Sequence, residues 1–306
     1  MQLRQIEAFQ AVIDAGTFSR AAARIRVSQP TISKLIAALE RALGYTLFER
    51  HGGRVVPTPQ ALALHQEVQR AWAGIDRLTS VAQALRATAP ARLVIGTSPM
   101  LAMGFVPRLI ALLRAARPDV EVVLDTDNLR PMIENFRSGA IDVLVITQSP
   151  SAARPIVVST PFASGELACV LPADHRLAAA RAITAADLAD EPFIGLAAVP
   201  SARRSIDRAF EHQSGRPRIV VEVTSALSAC MLAAEGMGIT LVGDMTAARA
   251  IQAGAGIVVR PFRPAVPYTI DYATARPPDE APLIGTFCRL ARKHGPALHA
   301  ALARRA

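Results

Sequence analysis

The chain has 306 residues, 51% of them hydrophobic, which is enough for the cores of about two domains. Its net charge of +9 is denser in the first 90 residues, which hold 11 basic and 6 acidic side chains, and this excess favours a polyanionic partner. No run approaches the ~18 apolar residues of a membrane span, and no secretion signal opens the sequence. We therefore expect a cytoplasmic protein without membrane contact.

Cysteine and histidine usage excludes several kinds of site. Cys169, Cys230 and Cys288 are odd in number and far apart, so they form neither a secreted disulfide framework nor a zinc spacing. Three buried thiols fit this pattern better than a redox-sensing pair. The six histidines form no HExxH or comparable ligand set. The sequence therefore predicts no metal and no cofactor.

Three helices are predicted at the start of the chain. Apolar residues at helical spacing predict a first helix that ends at Gly16, and a second begins at Thr17 or Ser19 and passes through three alanines. The third has Ser28 as its N-cap and Pro30 in its first turn, where a missing N–H group costs nothing. Its apolar positions are Ile32, Leu35, Ile36, Leu39 and Leu43.

The outward face of the third helix carries side chains suited to reading DNA bases. This face presents Gln29, Thr31, Ser33 and Lys34. Glutamine can bond adenine through two atoms, and lysine can reach guanine or phosphate. An ordinary solvated helix face would carry the same residue types, so this observation alone leaves both interpretations open.

A basic hairpin follows the third helix. Gly44 ends the helix, and residues 46–48 and 55–56 are predicted as strands around a Gly-Gly turn. Arg50, His51 and Arg54 lie on this hairpin, where they can bind phosphates or enter the minor groove. Residues 1–58 thus predict a winged helix-turn-helix domain.

The segment SRAAARIRVSQPTISKLIAALERALGYTLFER, residues 19–50, closely resembles the LysR-type transcriptional regulators. The matching features are the paired alanines, Ser-Gln-Pro before the third helix, Leu39-Glu40, Gly44, and Leu-Phe-x-Arg at the first strand. The resemblance implies binding to double-stranded promoter DNA. It assigns base or groove contacts to Gln29, Pro30, Ser33 and Lys34, a wing contact to Arg54, and a backbone contact to Arg50 or Thr31.

Residues 59–88 predict a long linker helix. Residues 59–87 contain no proline after the first position, and apolar residues recur every three or four positions from Leu62 to Leu85. This seam fits either a second copy of the helix or the protein's own body. The family resemblance implies a homodimer through this helix, a homotetramer, and contact with RNA polymerase.

Residues 92–306 predict an α/β domain of two lobes. Alternating strands and helices favour parallel sheets with helices outside, from RLVIGTS (92–98) to YTIDYAT (268–274), and a final helix starts near residue 281. Helices are expected at residues 103–116, 131–138, 203–212 and 225–234. Lobe I comprises about 92–161 and 267–306, and lobe II about 162–266. The arrangement resembles the effector-binding domain of the same family, which is similar to the type 2 periplasmic-binding fold.

Ligands of such sheets sit beyond the carboxyl ends of the strands, where helix N-termini supply N–H groups. Hydroxyls there suit a carboxylate, and Asp127 would favour an amine, so we expect a carboxylate or an amino-acid-like effector. Helix capping is the alternative role of the Ser and Thr residues. The candidate effector-binding residues are Thr97, Ser98, Pro99, Met100, Asp127, Thr147, Ser201, Arg203, Thr224 and Ser225.

These features predict a DNA-binding transcriptional regulator controlled by a small-molecule co-inducer between the lobes. The alternative is a cytosolic solute-binding or transferase-like enzyme domain joined to a DNA-binding head. The sequence contains no GxxxxGKS phosphate loop and no GxSxG elbow, so we expect no enzyme activity. Residues 100–113 and the string GMGITLVGDM further resemble the opine-responsive subgroup of the family.

Overall fold

The computed structural model describes residues 1–51, 54–65, 67–69, 71–72, 91–150, 157–196, 206, 210 and 217–304. They divide into two units, Met1–Val81 and Ala82–Ala306, which are described separately below. Within the described ranges, every helix is too short or too polar to span a lipid bilayer.

The first unit begins with three helices whose ends match the predicted signals. These are α1 (Leu3–Ala15), α2 (Phe18–Arg24) and α3 (Gln29–Leu43). The glycines after α1 and α3 adopt left-handed φ values of 70° and 80°, which other residues rarely tolerate. Thr17 caps α2 by accepting the Arg20 N–H, and Ser28 caps α3 by accepting the Thr31 N–H.

An antiparallel hairpin follows, formed by β1 (Phe48–His51) and β2 (Arg54–Pro57). The first strand was predicted to start at Thr46 and starts two residues later. The reason is that the Leu47 and Phe48 N–H groups bond Glu40 Oε1, while the Thr46 carbonyl accepts the Thr58 hydroxyl. Side-chain contacts with distant elements therefore replace strand pairing at residues 46 and 47.

Helix α4 follows the hairpin and is helical at 59–65, 67–69 and 71–72. Thr58 holds its start, because its hydroxyl oxygen accepts the Ala61 N–H at 3.1 Å. Side chains from the helices, hairpin and α4 share one core with Phe9, Ile32, Leu39 and Leu47 at its centre. The predicted continuation of the linker helix to residue 88 lies outside the described residues.

Lobe I of the second unit contains β3 (Arg92–Thr97), β4 (Glu121–Thr126) and β5 (Val143–Gln148), which run parallel in the order β4-β3-β5. Strand β12 (Pro267–Thr274) pairs antiparallel with β5. The helices of lobe I are α5 (Pro99–Ala102), α6 (Phe105–Ala116), α7 (Leu129–Arg137) and α10 (Pro282–Ala303).

Two helix starts in lobe I differ from the prediction. The helix expected at residues 103–116 begins at Phe105, because the Gly104 backbone at ψ −43° and φ −174° leaves the helical region between α5 and α6. The helix expected at residues 131–138 begins earlier, at Leu129, with Asn128 in the N-cap position. Helix boundaries depend on single backbone conformations that periodicity does not fix.

Strand β6 (Thr160–Pro172) belongs to both lobes. Its first half pairs with β12, and its second half pairs with β10 (Thr240–Gly243) and β11 (Ile257–Arg263) of lobe II. The partner changes between Glu166, which pairs with Pro267, and Leu167, which pairs with Gly243. The rest of lobe II comprises β7 (Ile183–Thr184), β8 (Pro192–Leu196), β9 (Arg218–Val223), α8 (Ala226–Ala234) and α9 (Asp244–Gln252).

The strand order confirms the α/β domain of two lobes joined by crossing strands. The helix predicted at residues 203–212 lies outside the described residues apart from residues 206 and 210. All three cysteines are free and buried, as expected. Burial raises the pKa of Cys230 to about 12 and that of Cys288 to about 11, which keeps both thiols protonated and unreactive.

Candidate functional site

The N-terminal turns of α3 present the predicted DNA-binding side chains on the surface. Gln29, Pro30, Thr31 and Lys34 are exposed, and Ser33 is half-buried. On the opposite side of the helix, Ile32, Ile36 and Leu39 are buried in the core of the unit. The apolar spacing of α3 therefore fixes which side chains face solvent.

Hydrogen bonds within α3 hold part of this surface in place. The Gln29 amide donates to Ser33 Oγ at 3.0 Å, and the hydroxyls of Ser28 and Thr31 lie 2.7 Å apart. Gln29 keeps one amide hydrogen and its carbonyl oxygen for a bidentate contact with adenine. Ser33 thus orients Gln29 in addition to any contact of its own.

The pairing of β1 with β2 places the basic residues of the hairpin on neighbouring strands. Arg50 pairs with Val55 and His51 with Arg54 across the two strands. The side chains of Arg50, His51 and Arg54 lie outside what the structure describes. The wing contact assigned to Arg54 and the backbone contact assigned to Arg50 stay predictions.

Lobes I and II enclose a cavity of about 280 Å³, a size that suits a small metabolite. Both lobes and the strands that join them contribute to its walls. Lobe I supplies the turns after β3, β4 and β5, and lobe II supplies the start of α8 and the turn after β10. The cavity therefore lies at the carboxyl ends of parallel strands, as ligand sites in open α/β sheets do.

Most of the predicted effector-binding residues line this cavity. They are Ser98, Pro99, Met100, Asp127, Thr147, Thr224 and Ser225. Ser201 and Arg203 lie outside the described residues. The prediction is wrong for Thr97, which is fully buried and donates its hydroxyl to the Val145 carbonyl at 2.8 Å. Successive residues of a strand face opposite sides, so Ser98 reaches the cavity and Thr97 does not.

One of these hydroxyl groups caps a helix, and another does not. Ser225 accepts the Ser228 N–H at 3.3 Å and caps α8. Ser98 occupies the N-cap position of α5 without a side-chain capping bond, so its hydroxyl is available to a ligand. Asp127 Oδ1 accepts the Asn128 N–H at 2.6 Å. Of the cavity-lining side chains that the structure describes, only that of Asp127 is acidic or basic.

Sequence reasoning missed the apolar part of the wall and one aromatic residue. The apolar residues are Leu101, Met103, Leu129, Met132, Leu227 and Leu241. Tyr268 comes from the crossing strand β12. A search at strand ends selects polar residues, whereas these positions carry no local signal and reach the cavity only through tertiary packing.

Comparison with known proteins matches two parts of the chain to known families. Residues 3–62 match the bacterial regulatory helix-turn-helix protein, lysR family, and residues 86–296 match the LysR substrate binding domain. The chain is 36% identical to the transcriptional activator protein LysR of Escherichia coli K12 over 88% of this chain and 86% of that protein. It is 33% identical to the octopine catabolism/uptake operon regulatory protein OccR of Rhizobium meliloti, over 86% of this chain and 85% of that protein.

The fold is also similar to that of a solved protein–DNA complex. Full-length CbnR bound to its target DNA aligns with a TM-score of 0.70 at 23% identity, covering 96% of this chain and 99% of that chain. The matched families and relatives are regulators, which agrees with the expectation that the chain is not an enzyme. The chain belongs to the LysR family of transcriptional regulators, which bind DNA under the control of a small-molecule effector.

Proposed function

We propose that this regulator reads promoter DNA through the N-terminal turns of α3 and the hairpin. The supporting observation is that Gln29, Thr31 and Lys34 are exposed on one face of a helix whose other face is buried. The CbnR complex contains DNA, and this chain shares its fold. Gln29, Pro30, Ser33 and Lys34 would contact bases or the groove, while Thr31, Arg50 and Arg54 would contact the backbone or the minor groove.

The cavity between the lobes is the proposed effector site. Residues with hydroxyl groups line it from both lobes, Ser98 and Thr147 from one and Thr224 from the other. These groups and the N–H groups at the start of α8 suit a carboxylate, and Asp127 suits an amine. The ligand class that fits both is an amino-acid-like compound, which binds without any cofactor. The name of OccR, which refers to octopine catabolism, supports a search among amino-acid derivatives.

The mechanism follows from the position of this cavity. A molecule that bridges the two lobes favours one angle between them, because only one angle lets both sets of polar groups reach it. In a homodimer through the linker helix, and in a homotetramer, this change would reposition the DNA-binding domains. The promoter DNA would then bend or relax and become more or less accessible to RNA polymerase. Because promoter DNA and RNA polymerase lie in the cytoplasm, the protein would act there.

Footprinting tests both halves of the proposal. The DNA is the intergenic region beside the regulator's gene, and the ligands are the amino acids and carboxylic acids of the pathway encoded next to it. We expect protection of this region without ligand and an altered pattern of protection with one of the compounds. An unchanged pattern with every compound that binds the protein would contradict effector control through the DNA-binding arrangement.

A further inference from the structure

Three polar side chains form a cluster between the lobes, beside the cavity. The Tyr268 hydroxyl donates to Asp244 Oδ1 at 2.6 Å, and His299 Nε2 lies 3.0 Å from the hydroxyl and 3.1 Å from the same carboxylate oxygen. Asp244 is the first residue of α9 in lobe II. Tyr268 lies on β12 and His299 on α10, both in lobe I. The cluster therefore connects the two lobes directly.

The cluster lies at the point where β6 passes from one lobe to the other. Gly165 of β6 pairs with Tyr268, and Asp244 Oδ2 accepts the N–H of Glu166 at 3.4 Å. A Cβ atom at Gly165 would lie 2.5 Å from His299 Nε2 and 2.6 Å from the Tyr268 hydroxyl, so the close approach requires glycine. Two residues after Gly165 along β6, Leu167 already pairs with lobe II.

Burial makes the hydrogen bonds of the cluster dependent on the arrangement of the two lobes. Tyr268 is 9% exposed and His299 is 7% exposed. Desolvation alone would raise the pKa of Asp244, but hydrogen bonds from His299 and Tyr268 outweigh it and lower the pKa. Burial and the Asp244 charge raise the pKa of Tyr268, which keeps its hydroxyl neutral and donating. A rotation between the lobes would leave a half-buried carboxylate without these donors.

Tyr268 also lines the cavity, next to Gly243. One side chain thus contacts the space for the effector and the carboxylate that joins the lobes. We propose that Tyr268 is a positioning residue that transmits occupancy of the cavity to the angle between the lobes. Asp244 and His299 hold it in the ligand-free position. This inference rests on the proposed role of the cavity, since a molecule that moves the Tyr268 ring must strain or break the bond to Asp244.

The test measures the lobe angle in the full-length protein without any ligand. Nitroxide labels on Ala111→Cys in α6 and Ala173→Cys after β6 report the distance between lobes, because both positions are exposed. Protein that lacks the added cysteines controls for labelling of the three buried native thiols. Dilution with unlabelled protein removes distances between protomers.

We expect Tyr268→Phe to shift or broaden the pulsed-EPR distance distribution by about 2 Å or more, as a domain rearrangement does. Asp244→Asn and His299→Gln should change it as well, and adding Asp244→Asn to Tyr268→Phe should add little. The matched control is Tyr272→Phe on the same strand, whose hydroxyl bonds Thr160 and Cys288 within lobe I. It should leave the distribution unchanged.

Two results would overturn the inference. One is a distribution unchanged in every cluster variant that retains the wild-type circular dichroism spectrum. The other is an equal change in Tyr272→Phe. Neither result depends on the effector, so a failure of this test is distinguishable from a failure to find a ligand for the cavity.

Discussion

The Glu40 carboxylate accepts the N–H group of Leu47 through Oε1 at 2.7 Å, which ties the recognition helix α3 to the hairpin. The same oxygen accepts the Phe48 N–H at 3.3 Å. Thr58, which follows the hairpin, bonds the segment just before it, because its hydroxyl donates to the Thr46 carbonyl at 3.0 Å. One carboxylate and one hydroxyl therefore help the shared apolar core to hold the wing in position relative to α3.

Replacing Glu40 should loosen the wing. Glu40→Ala leaves the Leu47 and Phe48 N–H groups without their acceptor, which we expect to destabilise the first unit by about 1 to 3 kcal/mol. Glu40→Gln keeps an acceptor oxygen and serves as the control. The chain has one tryptophan, Trp72, which packs against the core of the first unit, so its fluorescence during urea unfolding reports this unit. Equal unfolding of the two variants would contradict the proposed role of Glu40.

Lys34 and Gln29 should carry part of the DNA specificity. We expect Lys34→Ala or Gln29→Ala to weaken promoter binding by about 1 to 3 kcal/mol and to relax base preference. If Lys34 contacts phosphate alone, the loss should be uniform across sequences and the salt slope should fall by about 1. Lys293→Ala is the matched control, since Lys293 is the only other lysine, is exposed and lies on α10 in the second unit. Fluorescence anisotropy at fixed salt measures all three; an equal loss in Lys293→Ala would indicate a general charge effect.

Local signals were sufficient for the first three helices of the first unit. Gly16, Gly44 and Ser28 mark helix ends by backbone conformation and capping, and the apolar spacing of α3 determines its exposed face. The start of β1 was not predictable in this way. It depends on Glu40, which is seven residues from Leu47 in sequence and bonds it only after the helix and the hairpin pack.

The cavity shows the same division between local and tertiary information. Strand ends identified Ser98, Asp127 and Thr147, because their place in an α/β domain follows from element order. Thr97 was misassigned, since one residue of uncertainty at a strand end reverses the face of the sheet. Tyr268 was missed because its partners lie 24 and 31 residues away along the chain.

Adjacent hydroxyls at the end of β3 should have separate roles. We expect Ser98→Ala to weaken binding of the effector by about 0.5 to 1.5 kcal/mol without a loss of stability. Thr97→Val should instead lower stability, because it removes the buried bond to the Val145 carbonyl, and should leave the intrinsic affinity unchanged. Calorimetric titration and thermal unfolding separate the two effects. The assignment of Ser98 would be wrong if both variants lost affinity equally.

Asp127 should set a preference for cationic ligands. A thermal-shift panel would compare diamino acids with carboxylic acids of similar size that lack an amine. We expect Asp127→Asn to weaken binding of the amine-bearing members by about 0.5 to 1 kcal/mol, because the carboxylate is exposed and partly screened. Acids without an amine should bind the variant at least as well as the wild type. Asp125→Asn on β4 is the control, since Asp125 does not appear among the residues that line the cavity.

The Asp244 carboxylate should make the second unit sensitive to acid. Its pKa in the folded protein lies below the ordinary value of 3.8 because of the bonds from His299 and Tyr268, so folding favours the ionised form. This contribution to stability is present above the unfolded pKa and is lost as the pH falls through the lower folded pKa. We therefore expect the temperature of the calorimetric transition of the second unit to fall less steeply between pH 5 and pH 3 in Asp244→Asn than in the wild type. This range extends roughly one unit to each side of the ordinary pKa of a carboxyl group. Asp279→Asn, at an exposed position, should retain the wild-type slope. If Asp244→Asn also retained that slope, the cluster would contribute nothing to the acid sensitivity of this unit.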